Sequence, residues 1–551
     1  MLNENLIEQV PPSVWWGWAD PARSHGVPAH VAKVLVDELG ARPDEQPPVS
    51  LADVDMRESR LDDADLAALR DAGCEVLTDR AERAAHSGGK NYVDLYRRRQ
   101  GDCTNAPDAV VCPHSEPEIS TLLAVCAERG IAVVPYGGGT SVVGGVEPQS
   151  GGFTRVVSVD LRHLAALISI EPENRRATLG AGMRGPAAEL ALRAHGFTLG
   201  HYPQSHQEAS IGGYAATRSA GQASTGYGRI DTLVQRIRCV TPSGVVDVGG
   251  AAPASAAGPR LVDMIVGSEG ALGIITEVTL RIHRLPEMKR YAGWIFSSFD
   301  VARQALRDAM HECGTGQMPA VCRVSDEEET RIALAQIGGV KAAGLRRYAA
   351  MRGMDSPCLG IFIWEGEEET TSFGKHRVES IFARHGGVRL GPVAARSWEK
   401  GRFSAPYLRD HLIGRGLLVE TLETAQSFTG AMTTYRAVQS AIQEALGDRA
   451  SVQCHISHVY PSGVSLYYTF IAPADDDAVG QWRRVKAAAS EAIVATRATI
   501  SHHHAVGVDH APYLEAETGR LGQAVLRAVK ETLDPAGIMN PGKLTTARPR
   551  G

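Results

Sequence analysis

His502, His503 and His504 stand in a row, with Gly507 and His510 close behind. Imidazole takes or gives a proton near neutrality, ligates metals, and binds anions once charged. An internal position between folded-looking segments excludes a purification tag. A metal site meets a geometric objection: in an extended chain successive side chains alternate faces, so His502 and His504 share a side and His503 does not. No H-E-x-x-H pattern or Cys pair completes a zinc shell either. A polar turn beside Gly507, an acid/base cluster and an anion site all remain open on these residues alone.

A second kind of chemistry is suggested by three glycine clusters. PYGGGTSVVGG follows the apolar run IAVV, where Gly137, Gly138 and Gly139 would let backbone N–H groups approach a diphosphate. Val142, Val143 and Pro148 make poor helix material, which argues against a nicotinamide G-x-G-x-x-G turn. Gly212 and Gly213 precede a short helical segment, with Ser205 and Ser210 as side-chain donors. In GSEGALGIITEV, Gly267, Gly270 and Gly273 let a loop pass close to a ligand before a strand. Any one cluster reads equally as tight turns.

The elements that must position these residues alternate between helix and strand. SEPEISTLLAVCAERG has a Ser N-cap, acidic residues in its first turn and Gly130 as a stop. IAVVP reads as a buried strand, GPAAELALRAHG as a helix, IRCVTPSGVVDV as two strands about a Pro-Ser-Gly turn, and GIITEVTLRI as a long strand. From about Leu285 the pattern changes to longer charged helices separated by strands such as CLGIFIW and VSLYYTF. Tyr467 and Tyr468 are neighbours in the latter, so one of them faces a core. The reading is an α+β protein with an N-terminal, partly helical appendage (1–105), a ligand-binding domain (106–285), a second α+β domain (286–500) and a C-terminal segment returning to the site (501–551).

Composition narrows the function classes. The chain has 551 residues, 43% of them hydrophobic, with 57 Lys plus Arg against 63 Asp plus Glu. The formal charge of -6 and the absence of a long basic run disfavour nucleic acid. Nine scattered cysteines without a C-x-x-C spacing fit a reducing compartment. MLNENLIEQVPPSVWWGWADP lacks a signal-peptide pattern, no 20-residue apolar window occurs, and TTARPRG is not a peroxisomal S-K-L address. A cytoplasmic protein is expected.

In this order, the three glycine clusters resemble the flavin-binding domain of the vanillyl-alcohol-oxidase family, two packed α/β subdomains holding FAD between them. The resemblance spans roughly 106–286. It implies that Gly137, Gly138, Gly139, Thr140 and Ser141 hold the diphosphate. Pro135, Pro203, Ser205, Ser210, Gly212, Gly213, Thr217, Glu269, Gly270, Gly273, Ile274 and Ile275 would line the cofactor. Covalent members commonly carry His where Thr140 stands, so noncovalent FAD is implied; no metal ligand is assigned.

Over its full length the chain is similar to the alkyldihydroxyacetonephosphate synthase branch of that family. WWGWAD, RAAHSGGKNYVDLYRRRQG, GHYPQSHQEASIGGYAATRSAGQ, APYLRDHLIGRGLLVETLET, HISHVYPSGVSLYY and SHHHAVG occur in the corresponding order. The resemblance implies that a long-chain alcohol replaces the acyl group of acyl-dihydroxyacetone phosphate without net oxidation, the flavin N5 acting as nucleophile. By position, Tyr467 would abstract the proton, Arg323 and Arg409 would hold anionic parts of the substrate, His201 would line the pocket, and His503 and His504 would sit beside the reacting carbonyl. A phenol can act as base only where nearby cations favour phenolate, a field that protonated histidines and the two arginines would supply.

Two departures bear on the substrate. Gln204 in YPQS stands where the branch commonly has an acid, and DPAGIMNPGKL is a tail common among flavin-dependent hydroxy-acid dehydrogenases. The alternative is therefore an FAD-dependent oxidase or dehydrogenase of a 2-hydroxy acid or alcohol; a third reading is a flavin carrier without turnover. A small-molecule or lipid substrate is expected. GGVKAAGLRRYAAMRG, around Lys341 to Arg352, suits peripheral contact with an anionic membrane or a solvated helix with one face in the core. A homodimer is compatible with these features.

Overall fold

The computed structural model describes residues 14–18, 26–250, 252–337 and 339–545, with the side chains of 337 and 339–342 left out; the rest of the N-terminal segment and most of TTARPRG lie outside it. The flavin-domain region contains two sheets. In the first, strands Glu75–Leu77, Ala109–Cys112, Arg155–Asp160 and Ile131–Tyr136 lie side by side, the last three parallel. Those three are buried almost throughout, as parallel strands covered on both faces require. In the second, Leu167–Glu171, Arg176–Gly180, Ile274–Arg281, Val234–Thr241 and Gly244–Gly249 pair antiparallel. Val133, Val157, Leu179, Ile237 and Val278 belong to one core, so the two sheets fold as a unit.

Helix Glu116–Arg129 shows why the local reading works. The Ser115 side chain accepts from Glu118 N–H, Pro117 occupies the first turn, and Gly130 closes the helix at φ 64°.

A third sheet dominates the second half. Its strands run Val388–Gly391, Met288–Phe296, Cys358–Gly366, Val321–Ser325, Ser451–Ile456, Gly463–Pro473 and Leu417–Ser427, with short Val459–Tyr460 beside Gly463–Pro473, all antiparallel. Helices Phe299–Cys313, Glu368–Arg384, Ala431–Leu446 and Ala478–Ala495 cover one face, where Phe296, Phe362, Val438, Ile456, Tyr468 and Val485 share a core. The other face looks toward the glycine loops.

The first hundred residues are not the separate appendage that their composition suggests. Trp18, Tyr92 and Leu95 enter the core of the third sheet, Leu61 and Leu69 enter the flavin-domain core, and Leu35 and Leu39 of helix Ala29–Leu39 pack on Leu412, Leu417 and Val419. These apolar residues are spread among charged ones, so no window of sequence looks core-like, yet each is buried by a different element. At the other end, Ile538 and Asn540 bracket Val133: Val133 N–H donates to Ile538 O and Asn540 N–H to Val133 O. Asn540 Nδ2 also donates to the carbonyls of Gly145 and Glu269.

Candidate active site

Cross-strand register builds the catalytic wall. Glu423 pairs with Tyr467, and Tyr467 pairs with His455 on its other side, so the three side chains form one row across the sheet. Thr421, Thr469 and Gln453 form the next row. Because side chains alternate along a strand, Tyr468 goes to the core with 0% exposure while Tyr467 faces the cavity. His455 stacks on Tyr467, their ring centroids 4.8 Å apart. The Tyr467 hydroxyl points at Gln204 Oε1, 3.4 Å away, which gives the Gln at that position a role in orienting the phenol.

The histidine run is bent, not extended, and two buried carboxylates impose the bend. Glu423 accepts the backbone N–H of His502, His503 and His504, at 2.8, 2.9 and 2.8 Å, together with the Ser501 hydroxyl at 2.8 Å. Farther along, Glu269 accepts from Val506 N–H at 3.0 Å and Gly507 N–H at 2.9 Å. Gly507 has φ 53°, and a Cβ there would lie 1.9 Å from Val143 O, so the loop presses its backbone onto the first glycine loop. In this bend His502 Nδ1 and His503 Nδ1 come within 2.9 Å of each other, which corrects the expectation that His503 must point away. Glu423, His502 and His503 thus converge as three metal-capable groups. The Glu423 oxygens, however, are already occupied by four donors, so the carboxylate serves as the anchor of the loop.

The charge around Tyr467 also differs from expectation. Arg323 contacts His455 Nε2 at 2.8 Å and pairs with Glu329. An arginine can only donate, so His455 accepts at Nε2 and carries its proton on Nδ1, 3.1 Å from Glu329. Arg409 pairs with Glu420 at 3.1 Å and donates to Lys90 O and Thr421 Oγ1. Both arginines are therefore compensated by buried acids. Burial holds His502, His504 and His455 below the ordinary imidazole value, and pushes the Tyr467 phenol up. The expected field of imidazolium and free guanidinium is thus weakened: His455, His502 and His504 are held toward the neutral form and both guanidinium groups are paired.

A cavity of about 570 Å³ joins this wall to the glycine loops. Gly137, Gly138, Gly139, Thr140, Ser141, Pro135, Pro203, Ser205, Ser210, Gly212, Gly213, Thr217, Glu269, Gly270, Gly273 and Ile275 all line it, as do Arg323, Arg409, Tyr467, His503 and His504. The loops suit a dinucleotide because they have no room for side chains: a Cβ on Gly138 would meet Glu208 O at 2.0 Å, and one on Gly137 would meet Ser210 Oγ at 2.3 Å.

Two expected residues are outside the wall. Ile274 is fully buried in the flavin-domain core and does not line the cavity, whereas its neighbour Ile275, part of the same core, also reaches the cavity wall. His201 is fully buried behind Ser219, with Nε2 2.8 Å from the Ser219 hydroxyl, and burial lowers its pKa to about 3. Ser219 lines the cavity; His201 only supports it.

Sequence reasoning missed Glu423, His455, Glu329 and Arg402. Arg402 lines the cavity between Tyr202 and Phe403, its guanidinium 4.6 and 4.8 Å from their ring centroids. Its Nη1 is buried and meets no hydrogen-bond partner among the described residues. The one usable sequence signal was a Glu at Glu423 and a His at His455 on strands whose alternate residues are apolar.

This geometry, a dinucleotide cradle facing a proton-handling wall, defines an FAD-linked enzyme. Residues 107–249 match the model of an FAD binding domain, and 285–544 match the C-terminal domain of FAD linked oxidases. The chain is 34% identical over 490 residues to the alkyldihydroxyacetonephosphate synthase of Trypanosoma brucei brucei, covering 86% of this chain and 79% of that one. It is 32% identical over 484 residues to that of Dictyostelium discoideum, covering 85% and 78%. A solved alkyldihydroxyacetonephosphate synthase structure superposes with a TM-score of 0.82 at 28% identity, covering 97% of this chain and 99% of that one. The chain belongs to the alkyldihydroxyacetonephosphate synthase family, and FAD is its cofactor.

Proposed function

We propose that the protein exchanges the acyl group of acyl-dihydroxyacetone phosphate for a long-chain alcohol without net oxidation. The observation that carries this reading is the meeting of Tyr467 with His503 and His504 at the end of the flavin cavity, where Tyr467 and His503 rings lie nearly parallel at 5.9 Å. When bound, FAD supplies at N5 the nucleophile that the exchange requires. Gln204 aims the phenol. Because burial keeps Tyr467 protonated at rest, the phenol needs a partner to take its proton, and the proton work falls to Tyr467 and His503 together, the His503 ring lying nearly parallel to the phenol on the cavity wall.

The remaining substrate parts have matching surfaces. Arg402, stacked and with a buried Nη1 that meets no hydrogen-bond partner among the described residues, its charge felt by Glu399 only at a distance, suits a phosphate better than Arg323 or Arg409, which are paired directly with Glu329 and Glu420. An apolar cleft continues from the cavity under helix Ala29–Leu39, lined by Leu35, Leu39, Ile332, Leu408, Leu412 and Ile471, and suits an alkyl chain. No helix of the described residues is long and apolar enough to cross a membrane. Helix Gly339–Met351 exposes Arg346, Arg347, Tyr348 and Met351, a face suited to an anionic bilayer from which such a substrate would be drawn; the Lys341 side chain lies outside the described residues. Cytoplasmic, peripheral action follows from this reading.

The test is an anaerobic visible spectrum before and after adding palmitoyl-dihydroxyacetone phosphate and then hexadecanol, with mass spectrometry of products. Ether formed with the flavin oxidised at the end supports the synthase. Absence of ether together with bleaching by a 2-hydroxy acid replaces it with a dehydrogenase.

A further inference from the structure

Resting on the synthase reading, the proton balance of the exchange leaves one proton to remove. Ester plus alcohol gives ether plus carboxylic acid: the bond between the substrate carbon and the carboxylate oxygen breaks, as does the alcohol O–H, the ether C–O bond forms, and at neutral pH the acid leaves as carboxylate. One proton per turnover must therefore travel from a water-poor cavity to solvent.

The structure contains a file of titratable groups leading from the cavity wall to half-buried Tyr460, whose hydroxyl also meets Arg229. His503 is on the cavity wall, its Nδ1 is 2.9 Å from His502 Nδ1, and His502 Nε2 is 2.5 Å from the hydroxyl of half-buried Tyr460. The histidine atoms form an unbroken file because both rings use both nitrogens: His503 receives at Nε2 and gives from Nδ1, and His502 receives at Nδ1 and gives from Nε2. Glu423 Oε2 lies 3.6 Å from His502 Nδ1 and 3.4 Å from His503 Nδ1, supplying a buried counter-charge for an imidazolium in transit. The path is also closed at its side. His458, whose ring is 5.0 Å from that of His502, has its Nε2 directed to Gly221 O at 2.8 Å and its Nδ1 directed to Ser457 at 2.7 Å, so it offers no branch.

We infer that His503, His502 and Tyr460 form a proton relay that exports the alcohol proton from the cavity to the surface. His503 takes the proton from the alcohol; His502 and Tyr460 are positioning residues that pass it on. Neither Tyr460 nor His502 belongs to the cavity wall.

The test uses Tyr460→Phe holoenzyme, which keeps the ring and removes the hydroxyl. Expected is a fall in kcat of about tenfold or more, with KM and bound FAD retained, and recovery of kcat as imidazole buffer is added, because a small base replaces the lost link. Tyr460→His, which retains a proton carrier, is expected to keep most of the parent rate. A Tyr460→Phe rate equal to the parent's, or a loss that imidazole does not relieve, overturns the relay. A parent enzyme that forms no ether sinks the synthase reading alone. The relay is then decided by ¹⁵N spectra of histidine-labelled holoenzyme: a shift of the His502 nitrogens in Tyr460→Phe supports it, and unmoved nitrogens overturn it.

Discussion

Glu423 and Glu269 divide the histidine loop between them: Glu423, from the third sheet, holds the backbone N–H groups of His502, His503 and His504, and Glu269, from the flavin domain, holds those of Val506 and Gly507. The catalytic loop is thus tied to both halves of the molecule through its main chain, which leaves its imidazoles free for chemistry.

The two anchors titrate in opposite senses. Glu423 is held well below the ordinary carboxylate value: burial opposes this, but the adjacent histidines and their hydrogen bonds outweigh it. A depressed folded pKa contributes stability above the unfolded value of about 4.3 and loses it as pH falls through the folded value. Glu269 is pushed up to about 7 by burial, so its contribution is present below about 4.3 and is lost as pH rises through about 7. The Tm of the holoenzyme should therefore fall as pH drops below about 4.3 because of Glu423 and fall as pH rises from about 4.3 to about 7 because of Glu269, with Glu423→Gln flattening the first decline and Glu269→Gln the second. Glu423→Gln should itself lower stability by about 3 kcal/mol, since several charge-assisted hydrogen bonds are weakened together. Calorimetry from acid to mildly alkaline pH checks this.

Tyr467→Phe should retain flavin and lower kcat by about a hundredfold or more, the usual scale for removing a proton-transfer group. Flavin absorbance per protein and single-turnover rates separate the two effects. Loss of flavin would mean that the hydroxyl holds Gln204 and its loop in place.

Arg402→Gln should raise KM for acyl-dihydroxyacetone phosphate by about tenfold, roughly 1.4 kcal/mol of binding, with kcat little changed. The dephosphorylated substrate should not distinguish the variant from the parent. Equal discrimination by both proteins would remove Arg402 from phosphate recognition.

Acid precipitation of the holoenzyme should leave FAD in the supernatant, because position 140 carries a threonine hydroxyl in the diphosphate loop. Yellow colour remaining with the pellet, with a flavinylated peptide by mass spectrometry, would show a covalent bond.

What could be read in advance was whatever depends on neighbours in the chain. The Ser115 cap, the Gly130 stop, the glycine loops and the choice between Tyr467 and Tyr468 follow from spacing alone. Compensation across long separations could not be read. Glu329 and Glu420 neutralise Arg323 and Arg409, and nothing in CRVSDE or YLRD reveals that those guanidinium groups are already paired. The shape of the histidine loop is hidden for the same reason, since its bend is dictated by a carboxylate that precedes it by two helices and three strands.

The pairing of Val133 with Ile538 and Asn540 has a consequence for biogenesis. During synthesis the glycine loops leave the ribosome long before the residues that flank their strand and tie Gly145 to Glu269. The histidine loop arrives equally late. The nascent protein therefore displays most of its nucleotide cradle while the wall that handles protons is still being made, and cofactor capture in its final form waits for the residues around Ile538 and Asn540.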